Sequence, residues 1–527
     1  MVNILISGYY GFDNIGDESI LRTLVSSLRE HIPDCSLTVL SHNPASTREK
    51  YGVEAVDRMS PMAILRAVKK CDMLISGGGS LLQDVTSSKS LHYYLSIIRC
   101  AEFFHKKVFI YSQGIGPIDR PGNRRAAAAA LKRADGIVVR DERSAALLEE
   151  IGIARDKVVI TADPVIRMKK PDGDVGAEIL RKAGVSLDGR LTVGWAIRER
   201  DTDSRFVKEL LRSIQMMKDK YNAQSVLIPF HYEEDGEVCR HIAAQLPDDT
   251  AVCLNEKYLS EDMLSIIGNM DLLVGVRLHS LIYAAIMGVP LIGISYDPKC
   301  TAFLNSVGLD KLSTKENFTA ELFLPEAERV LETGKEQVQC VEAHMAKLSR
   351  KLDTNEKMIC AIMEKSRKHT MQDPQNNTEK KDKSGVRTAG AISFVFLLTL
   401  FAKLLGVVRE MMQANIFGTG IDADLYTASY NSTLYLFTTM CYALCIAAVP
   451  ILTKEFAADR KRGEKAANNL LTITLLGSLA AVVLWQIFAS TPLVGTIWDL
   501  DAAELPRLAS YIRIMACALP VVAAAYL

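Results

Sequence analysis

The chain has 527 residues, and its 62 Lys and Arg residues are balanced by 62 Asp and Glu residues. The length exceeds that of one domain, and a net charge of zero gives no indication of a nucleic-acid partner. The eleven cysteines form no CxxC pair, so the sequence carries neither a disulfide framework nor a zinc signature and suggests reduced thiols.

Residues 1 to about 370 alternate between strand-like and helix-like segments, which predicts parallel sheets with helical crossovers. A Gly-rich turn, Gly8–Asp17, follows the first strand, and a helix is expected to begin near Asp17. A break rich in Pro, Gly and Asp at 163–176 divides the pattern into two Rossmann-like domains, 1–165 and 176–365, with a cleft between them. Closing helices are expected near 319–335 and 336–367. Strands are predicted at 2–7, 37–41, 72–76, 107–112, 136–140 and 157–160, then at 191–195, 224–229, 251–254, 271–276 and 290–295.

The remainder of the chain is predicted to be a polar linker, 366–387, followed by an all-α transmembrane domain, 388–527. Four apolar stretches are each close to or longer than the roughly 20 residues that cross a bilayer. The basic loop 453–466 and the basic linker both belong on the cytoplasmic side under the positive-inside rule. We therefore expect a multi-pass protein of the cell membrane whose N-terminal part faces the cytoplasm. The four predicted spans are 389–408, 424–452, 467–490 and 506–527.

The most informative motif is Asp271–Ser280, where a short apolar strand ends in Arg277, His279 and Ser280. The carboxyl end of a parallel strand, beside a helix N-terminus, is where open α/β sheets bind anionic ligands. We predict that Arg277 clamps a carboxylate or phosphate, with a structural ion pair as the alternative. We predict that His279 is a general acid, with a residue that only caps the helix as the alternative. Ser280 either donates to the same anion or only caps the helix.

Other candidate residues lie at neighbouring strand ends. Lys299 follows the next strand and could face the same cleft, although plain exposure of the lysine is the alternative. Arg140 ends a strand of the first domain and could reach across the cleft. The remaining candidates for substrate binding are Asn14 and Asp13 in the first turn, Gly78 and Gly79 in a triple glycine, and Gln113 in Gln-Gly-Ile-Gly-Pro.

Five motifs in order resemble the polysaccharide pyruvyl transferase family, and most closely its CsaB-like branch. They are Gly8–Glu18 (GYYGFDNIGDE), Ser76–Ser80 (SGGGS), Gln113–Pro117 (QGIGP), Arg140–Arg143 (RDER) and Gly275–Ser280 (GVRLHS). The resemblance spans roughly 1–365. It implies a two-domain, GT-B-like fold and transfer of pyruvate from phosphoenolpyruvate to a sugar of a lipid-linked cell-wall glycan as a ketal. No cofactor is implied, and the sequence offers no metal-ligand cluster.

The apolar part resembles the beginning of the MurJ (MviN) lipid II flippase family. The resemblance depends on Lys403–Glu410 (KLLGVVRE), Phe417–Gly420 (FGTG), Asp424 and Val449–Leu452 (VPIL). It implies that Lys403, Arg409 and Asp424 belong to a transport cavity, since intramembrane charges usually face one. Snorkelling of the cations to the membrane surface is the alternative.

Two other functions are compatible with these patterns. A nucleotide-sugar glycosyltransferase of the same fold is one, but many such enzymes carry an acid at the position that Tyr283 occupies in Tyr283–Pro290 (YAAIMGVP). The other is a non-catalytic sensor of sugar lipids that serves the transporter.

Overall fold

The computed structural model describes residues 2–85, 87–371, 421–491 and 504–526. The chain divides into two compact units, Met1–Gln375 and Asn376–Leu527, and each is described by itself.

The first half of the first unit is a parallel sheet in the order β3-β2-β1-β4-β6-β7-β8, with β5 paired to β6. Strand β1 lies at its centre, and Ile4, Leu5 and Ile6 are at most 1% exposed because helices cover both faces. The strands are β1 (Val2–Tyr10), β2 (Cys35–Ser41), β3 (Glu54–Asp57), β4 (Met73–Ser76), β5 (Gly79–Leu82), β6 (Lys107–Ile115), β7 (Gly136–Val139) and β8 (Val158–Ile160). The helices are α1 (Ile15–His31), α2 (Pro44–Tyr51), α3 (Pro61–Lys70), α4 (Ser88–Phe103), α5 (Pro121–Leu131) and α6 (Glu142–Glu150), with 3₁₀ turns at Arg155–Lys157 and Pro164–Arg167.

The second half is another parallel sheet, in the order β11-β10-β9-β12-β13-β14. In both halves the strand order reverses beside the first strand of the sheet, which creates the crevice where doubly wound folds bind ligands. The strands are β9 (Thr192–Ala196), β10 (Gln224–Leu227), β11 (Ala251–Cys253), β12 (Leu272–Gly275), β13 (Leu291–Ser295) and β14 (Ser313–Thr314). The helices are α7 (Val175–Lys182), α8 (Arg205–Tyr221), α9 (Tyr232–Ala244), α10 (Ser260–Gly268), α11 (Leu278–Met287) and α12 (Pro298–Ser306), with a 3₁₀ turn at Lys315–Asn317.

A long helix, α13 (Ala320–Met371), leaves the second half, kinks at Thr333 and packs against the first half. Its buried Glu356 accepts hydrogen bonds from the hydroxyl groups of Ser27 at 2.6 Å and Tyr111 at 2.8 Å. These contacts attach helix α13 to α1 and β6 of the first half.

The two Rossmann-like halves have the parallel α/β architecture predicted from the sequence, and each of the eleven predicted strands is present. The prediction missed three short strands: β3, β5 and β14. Strand β5 begins in the triple glycine, which we interpreted as a substrate-binding segment rather than as the start of a strand. Helix α1 begins at Ile15 rather than at Asp17, because the side chain of Asn14 caps it by accepting from the amide of Gly16 at 3.1 Å.

The second unit consists of helices. Two helical stretches among the described residues, Asp424–Phe456 and Arg462–Phe488, are long and apolar enough to cross a membrane. The predicted span 389–408 lies outside the described residues. The predicted span 506–527 is instead two short helices separated at Cys517 and Ala518, since Pro520 begins a new helix after the turn. The helices are α14 (Ile421–Tyr430), continuous through a π-helical turn at Asn431–Tyr435 with α15 (Leu436–Ala458), then α16 (Arg460–Phe488), α17 (Leu505–Ala516) and α18 (Leu519–Tyr526).

The helices of the second unit bury few side chains between them. Leu425, Leu508 and Ile512 are fully buried, and the indole nitrogen of Trp485 donates to the carbonyl of Ser432 at 3.1 Å. By contrast, α15 and α16 present long apolar side chains outward, as helices in contact with lipid do. Among these exposed side chains are Tyr442, Ile451, Ile473, Leu476, Leu479, Val483 and Leu484.

Candidate active site at the facing strand ends

A cleft of about 660 Å³ separates the two halves of the first unit, at the carboxyl ends of both sheets. The first half contributes residues that follow β1, β6 and β7, and the second half contributes residues that follow β9, β12 and β13. This placement follows from the topology, because all strands of each sheet run parallel and end at the same edge. Five of the predicted site residues line the cleft along with Gly79: Asn14, Arg140, Arg277, His279 and Lys299.

Asp163 brings the two halves together at the base of the cleft. One of its oxygens, Oδ2, lies 2.7 Å from Nη1 of Arg140 and 3.8 Å from Nε2 of His279. The side chains of Arg140 and Asp163 are both 5% exposed, and Arg140 also donates to the hydroxyl of Ser80 at 2.9 Å. Arg140 is therefore held rigidly, with its remaining N–H groups available to a ligand.

His279 is the second residue of α11 and packs against Gly16 of α1, where a Cβ atom would lie 2.0 Å from Nδ1. Its Nε2 atom is buried and has no hydrogen-bond partner among the described residues. Burial lowers the pKa of His279 to about 4, and Arg140, Lys299 and Arg277 add to this effect while Asp163 opposes it. At neutral pH the imidazole is therefore uncharged, which differs from the protonated acid that we expected from the sequence.

Arg277 occupies the N-cap position of α11 and forms an ion pair with Asp235, which is 1% exposed. Its Nε atom donates to Oδ2 of Asp235 at 3.0 Å, and Nη2 donates to Oδ1. Nη2 also lies 3.6 Å from Glu234. The guanidinium lines the cleft, but this carboxylate occupies the bidentate face that we predicted for the ligand.

Two other cations of the second half are less constrained. Lys299 is 26% exposed and pairs only with Asp297, at 3.2 Å, among the described residues. Arg198, which follows β9, donates to the hydroxyl of Tyr296 and has no carboxylate partner in the described part of the chain. The sequence reasoning missed Arg198, although its position one residue beyond Ile197 at a strand end could have indicated it.

Asp17 is a second residue that sequence reasoning missed, because we interpreted it only as a helix cap. Its carboxyl group lines the cleft, and Oδ1 lies 2.9 Å from the place where a Cβ atom of Gly79 would be. Gly79 has φ +90°, so a side chain there would be both strained and in contact with Asp17. Burial raises the pKa of Asp17 to about 7; Lys299 and Arg140 oppose the shift, whereas Glu18 and Asp163 add to it.

Three predicted substrate-binding residues lie behind the cleft rather than on its surface. Gln113 is fully buried and donates to the carbonyl of Gly77 at 2.7 Å, which supports the glycine loop. Gly78 faces Ile20, 2.9 Å from the position of a Cβ atom. The hydroxyl of Ser280 donates to the carbonyl of Arg277 at 2.6 Å, so Ser280 stabilises the start of α11.

Asp13 lies in a separate cavity of about 300 Å³. Its φ of 55° turns the side chain away from Asn14 and towards Lys50, at 3.2 Å, and Lys257, at 3.4 Å. Asp13 and Asn14, which are neighbours in the first turn, therefore line different cavities. The ion pair of Asp13 with Lys257 connects the first half to the second.

Tyr283 is fully buried, and its hydroxyl forms a hydrogen bond with the hydroxyl of Ser19 in α1. The position that holds an acid in many nucleotide-sugar glycosyltransferases is thus part of the packing between the two halves.

The cleft combines five cationic side chains, those of Arg140, Arg143, Arg198, Arg277 and Lys299, with the uncharged imidazole of His279 and the carboxyl group of Asp17, whose pKa is raised. Such an arrangement can bind a small polyanion and exchange protons with it. Among the described residues, no group of three or more His, Cys, Asp or Glu side chains is placed to hold a metal ion.

Comparisons with known proteins identify the family of the first unit and relate its fold to solved structures. The polysaccharide pyruvyl transferase family matches residues 14–298. The amylovoran biosynthesis protein AmsJ of Erwinia amylovora is 21% identical over 370 residues, which cover 59% of this chain and 88% of AmsJ. The structure of Anabaena HepE in complex with UDP-glucose superimposes with a TM-score of 0.50 at 11% identity and covers 69% of this chain and all of HepE. The HepE complex with UDP also gives a TM-score of 0.50, at 10% identity.

The fold and the cleft are those of a GT-B-like transferase with two Rossmann-like halves. The chain belongs to the polysaccharide pyruvyl transferase family, and the matched residues include Asn14, Arg140, Arg277 and His279 of the cleft, while Lys299 lies one residue beyond the match.

The family match ends before the second unit, so the resemblance of that unit to a flippase stays a prediction. Lys403 and Arg409 lie outside the described residues. Asp424 lies in α14, where its side chain is exposed.

Proposed function

We propose that the first unit transfers pyruvate from phosphoenolpyruvate to two neighbouring hydroxyl groups of a sugar in a cell-wall polysaccharide or in its lipid-linked precursor. The observation that carries the proposal is the convergence of Arg140, His279 and Lys299 on one cleft from both halves of the unit. The family supports a transferase; the donor and the lipid linkage are our inference.

The donor fits the charges of the cleft. Phosphoenolpyruvate carries a phosphate and a carboxylate, and each needs at least one cation. Arg140 and Lys299 stand on opposite halves, so a donor held between them would span the cleft. Arg198 is available as a third contact, whereas Arg277 can contribute only the N–H groups that Asp235 and Glu234 leave unused.

The reaction also needs proton transfer. Ketal formation places a proton on the methylene carbon of the donor, and the two sugar hydroxyl groups each lose one as they bond to C2. His279, buried beside Arg140 and Lys299 with an unpartnered Nε2, is the proposed proton-transfer group next to the donor.

The main alternative is a nucleotide-sugar glycosyltransferase. Tyr283 counts against it, since the buried hydroxyl of this residue is bonded to Ser19 and does not line the cleft. Position 283 of α11 is a tyrosine and not the acid that binds the ribose in many of these enzymes. The likeness to HepE concerns the fold and does not assign a donor to this chain.

We further propose that the second unit is the beginning of a lipid-precursor flippase, so that the modified intermediate is exported by the same chain. Its outward-facing apolar helices support insertion in the cell membrane. Lys403, Arg409 and Asp424 would contact the precursor in the transport cavity. If a chain lacking residues 389–527 leaves pyruvylated polymer at the cell surface unchanged, the coupling of transfer to export is wrong.

The enzymatic proposal is tested with the full-length chain in detergent micelles. Lipid-linked acceptors that end in N-acetylmannosamine are incubated with phosphoenolpyruvate or, in parallel, with UDP-glucose. We expect phosphate release only with phosphoenolpyruvate, and a product whose mass increases by one pyruvate less one water. Glycosylation from UDP-glucose without this product would establish the alternative.

Substitution of His279 distinguishes an enzyme from a sensor. His279→Ala should abolish phosphate release while the binding of phosphoenolpyruvate, measured by calorimetry, is retained. The matched control is His92→Ala, because His92 is exposed on α4 and does not line the cleft. A His279→Ala variant with undiminished turnover would contradict the proposed site.

A further inference from the structure

Asp17 differs from the other carboxylates that line the cleft. Glu234 lies 3.0 Å from Arg200, and Asp297 lies 3.2 Å from Lys299. Asp141 caps α6 and lies 3.7 Å from Arg140. In the described part of the chain Asp17 has neither a hydrogen-bond donor nor an ion-pair partner within contact distance. A carboxyl group that is left unpartnered in a cleft lined with cations has no evident structural role.

Several charged groups surround Asp17 from different elements. Glu18 is its neighbour in α1, Arg140 follows β7, Asp163 follows β8, Lys299 lies in α12, and the hydroxyl of Tyr9 comes from β1. His279 of α11 packs against the adjacent Gly16. Burial and the two acids outweigh the two cations, so the pKa of the Asp17 carboxyl group is about 7 and about half of the groups carry a proton at neutral pH.

We infer that Asp17 is the acid that protonates the methylene carbon of the enol phosphate, an inference that rests on the proposed function. His279 is then the base that accepts the proton of the first sugar hydroxyl. This reverses the role that the sequence suggested for His279. The two groups face the same cleft from opposite halves, so each can serve one of the two substrates.

The steps balance. Asp17 gives its proton to C3 of the donor, the electron pair of the C2–C3 double bond forms the new C–H bond, and the first sugar oxygen bonds to C2 while its proton passes to His279. The bond between C2 and the phosphate oxygen then breaks, its electron pair leaves with the phosphate, and His279 protonates that phosphate. The second sugar oxygen bonds to C2, and its proton returns to Asp17. Both residues regain their initial states, and no further reactant is needed.

Opposite pKa shifts support this division. The pKa of Asp17 is raised to about 7 by burial, and the pKa of His279 is lowered to about 4, also by burial. Pairs of groups whose surroundings shift their pKa values in opposite directions are commonly an acid and a base. A bound polyanion would raise both pKa values, because its negative charge favours the protonated form of each group.

The test uses the full-length chain, phosphoenolpyruvate and the sugar acceptor. Asp17→Asn should lower the turnover at least about 100-fold, as expected for the loss of a general acid. Binding of phosphoenolpyruvate should be unchanged or tighter, because no negative charge is left at the position. Glu54→Gln, in an exposed side chain of β3, is the control and should retain full turnover.

The pH profile separates a catalytic role from a structural one. In the wild type kcat/KM should fall on the alkaline side as Asp17 loses its proton, and this limb should shift in Asp17→Glu and disappear from the residual activity of Asp17→Asn. If Asp17→Asn fails to fold, the shifted limb of Asp17→Glu decides. A wild type that releases no phosphate from phosphoenolpyruvate refutes the proposed function. A wild type that does so, with Asp17→Asn within about tenfold of its turnover, refutes the role of Asp17 alone.

Discussion

The Nε2 atom of His279 lies 3.8 Å from the Oδ2 atom of Asp163. These residues come from different halves of the first unit, and the same oxygen atom holds Arg140 at 2.7 Å. Asp163 thus determines both the position of a cation and the charge environment of the imidazole. Any change at this carboxylate should affect folding and proton transfer together.

Replacing Asp163 with Asn should destabilise the first unit by about 3 kcal/mol, because it leaves the buried guanidinium of Arg140 without a counter-charge. Chemical denaturation measures the loss. The control is Glu150→Gln, which removes a partner of Arg124 at 3.3 Å in an exposed pair and should cost less than about 1 kcal/mol. Equal losses in the two variants would show that the Arg140–Asp163 pair contributes no more than a surface pair.

The stability of the wild type should depend on pH because of His279. Its pKa in the folded state is lowered by burial to about 4 from the usual histidine value of 6.5. Between these values the unfolded chain binds more protons than the folded one, so stability falls as the pH decreases from 6.5 towards 4. In His279→Gln this part of the decrease should be absent. Thermal unfolding at several pH values measures it, and parallel curves for the two proteins would contradict the lowered pKa.

Asp17 should have the opposite dependence. Its folded-state pKa of about 7 exceeds the usual aspartate value of 3.8. The folded state therefore binds more protons between these values, and stability falls as the pH rises through them. Asp17→Asn should therefore be more stable than the wild type at pH 8, on the order of 1–2 kcal/mol after allowance for solvent screening. An Asp17→Asn variant that unfolds at a lower temperature than the wild type at pH 8 would show that the carboxylate is stabilising.

The fold was largely predictable because buried parallel strands are continuous apolar runs separated by helical crossovers. The predicted strand 271–276 lies within one residue of β12 at each end, since Asp271 and Arg277 bound five buried residues. Strand β5 was missed because Gly79, which begins it, has a positive φ and no side chain for a pattern to show. The second unit was less predictable, since a continuous apolar run does not reveal where a turn divides it, as at Cys517 and Ala518.

The sequence predicted which strand ends contribute residues to the candidate site, but not the contacts of each side chain. Arg140, His279 and Lys299 share the cleft because the topology places the ends of their strands together. Which partner each side chain takes depends on residues far away in the sequence: Asp235 lies 42 residues from Arg277 and occupies its guanidinium. For the same reason Asp17 could not be recognised, because its surroundings come from five other segments.

Helix α13 should be essential for the stability of the first half. Glu356 is 1% exposed and accepts hydrogen bonds from Ser27 and Tyr111. Glu356→Leu leaves both hydroxyl groups without an acceptor and should cost about 2–4 kcal/mol, measured by denaturant unfolding. Glu364→Gln, in an exposed side chain of the same helix, should be close to neutral. If both variants unfold at the wild-type denaturant concentration, α13 is not fastened through Glu356.

The second unit should anchor the chain in a membrane. The full-length chain should remain in the membrane pellet after alkaline carbonate extraction, because the stretches Asp424–Phe456 and Arg462–Phe488 are long enough to span a bilayer. Replacing two exposed residues in each stretch with Lys, Tyr442 and Ile451 on α15 together with Leu476 and Leu479 on α16, should increase the share of the chain in the supernatant. The control replaces Lys454 and Lys465, which flank the junction of α15 and α16, with Gln and should leave the chain in the pellet. Recovery of the wild type in the supernatant would contradict membrane insertion.

Lys299 and Arg277 should respond differently to the loss of their charges, although both line the cleft. Lys299→Gln removes a partly exposed cation whose partner Asp297 is itself 33% exposed, so the fold should lose less than about 1 kcal/mol. The KM for phosphoenolpyruvate should increase about 10-fold or more, since a charge-assisted contact contributes about 1.5–3 kcal/mol. Arg277→Gln instead leaves Asp235 buried without its counter-charge and should destabilise the fold by about 3–5 kcal/mol. Steady-state kinetics with denaturant unfolding of both variants measures the two effects. A strongly destabilised Lys299→Gln would show that Lys299 has a structural role. An Arg277→Gln variant with wild-type stability and a raised KM for phosphoenolpyruvate would show that Arg277 is the donor clamp.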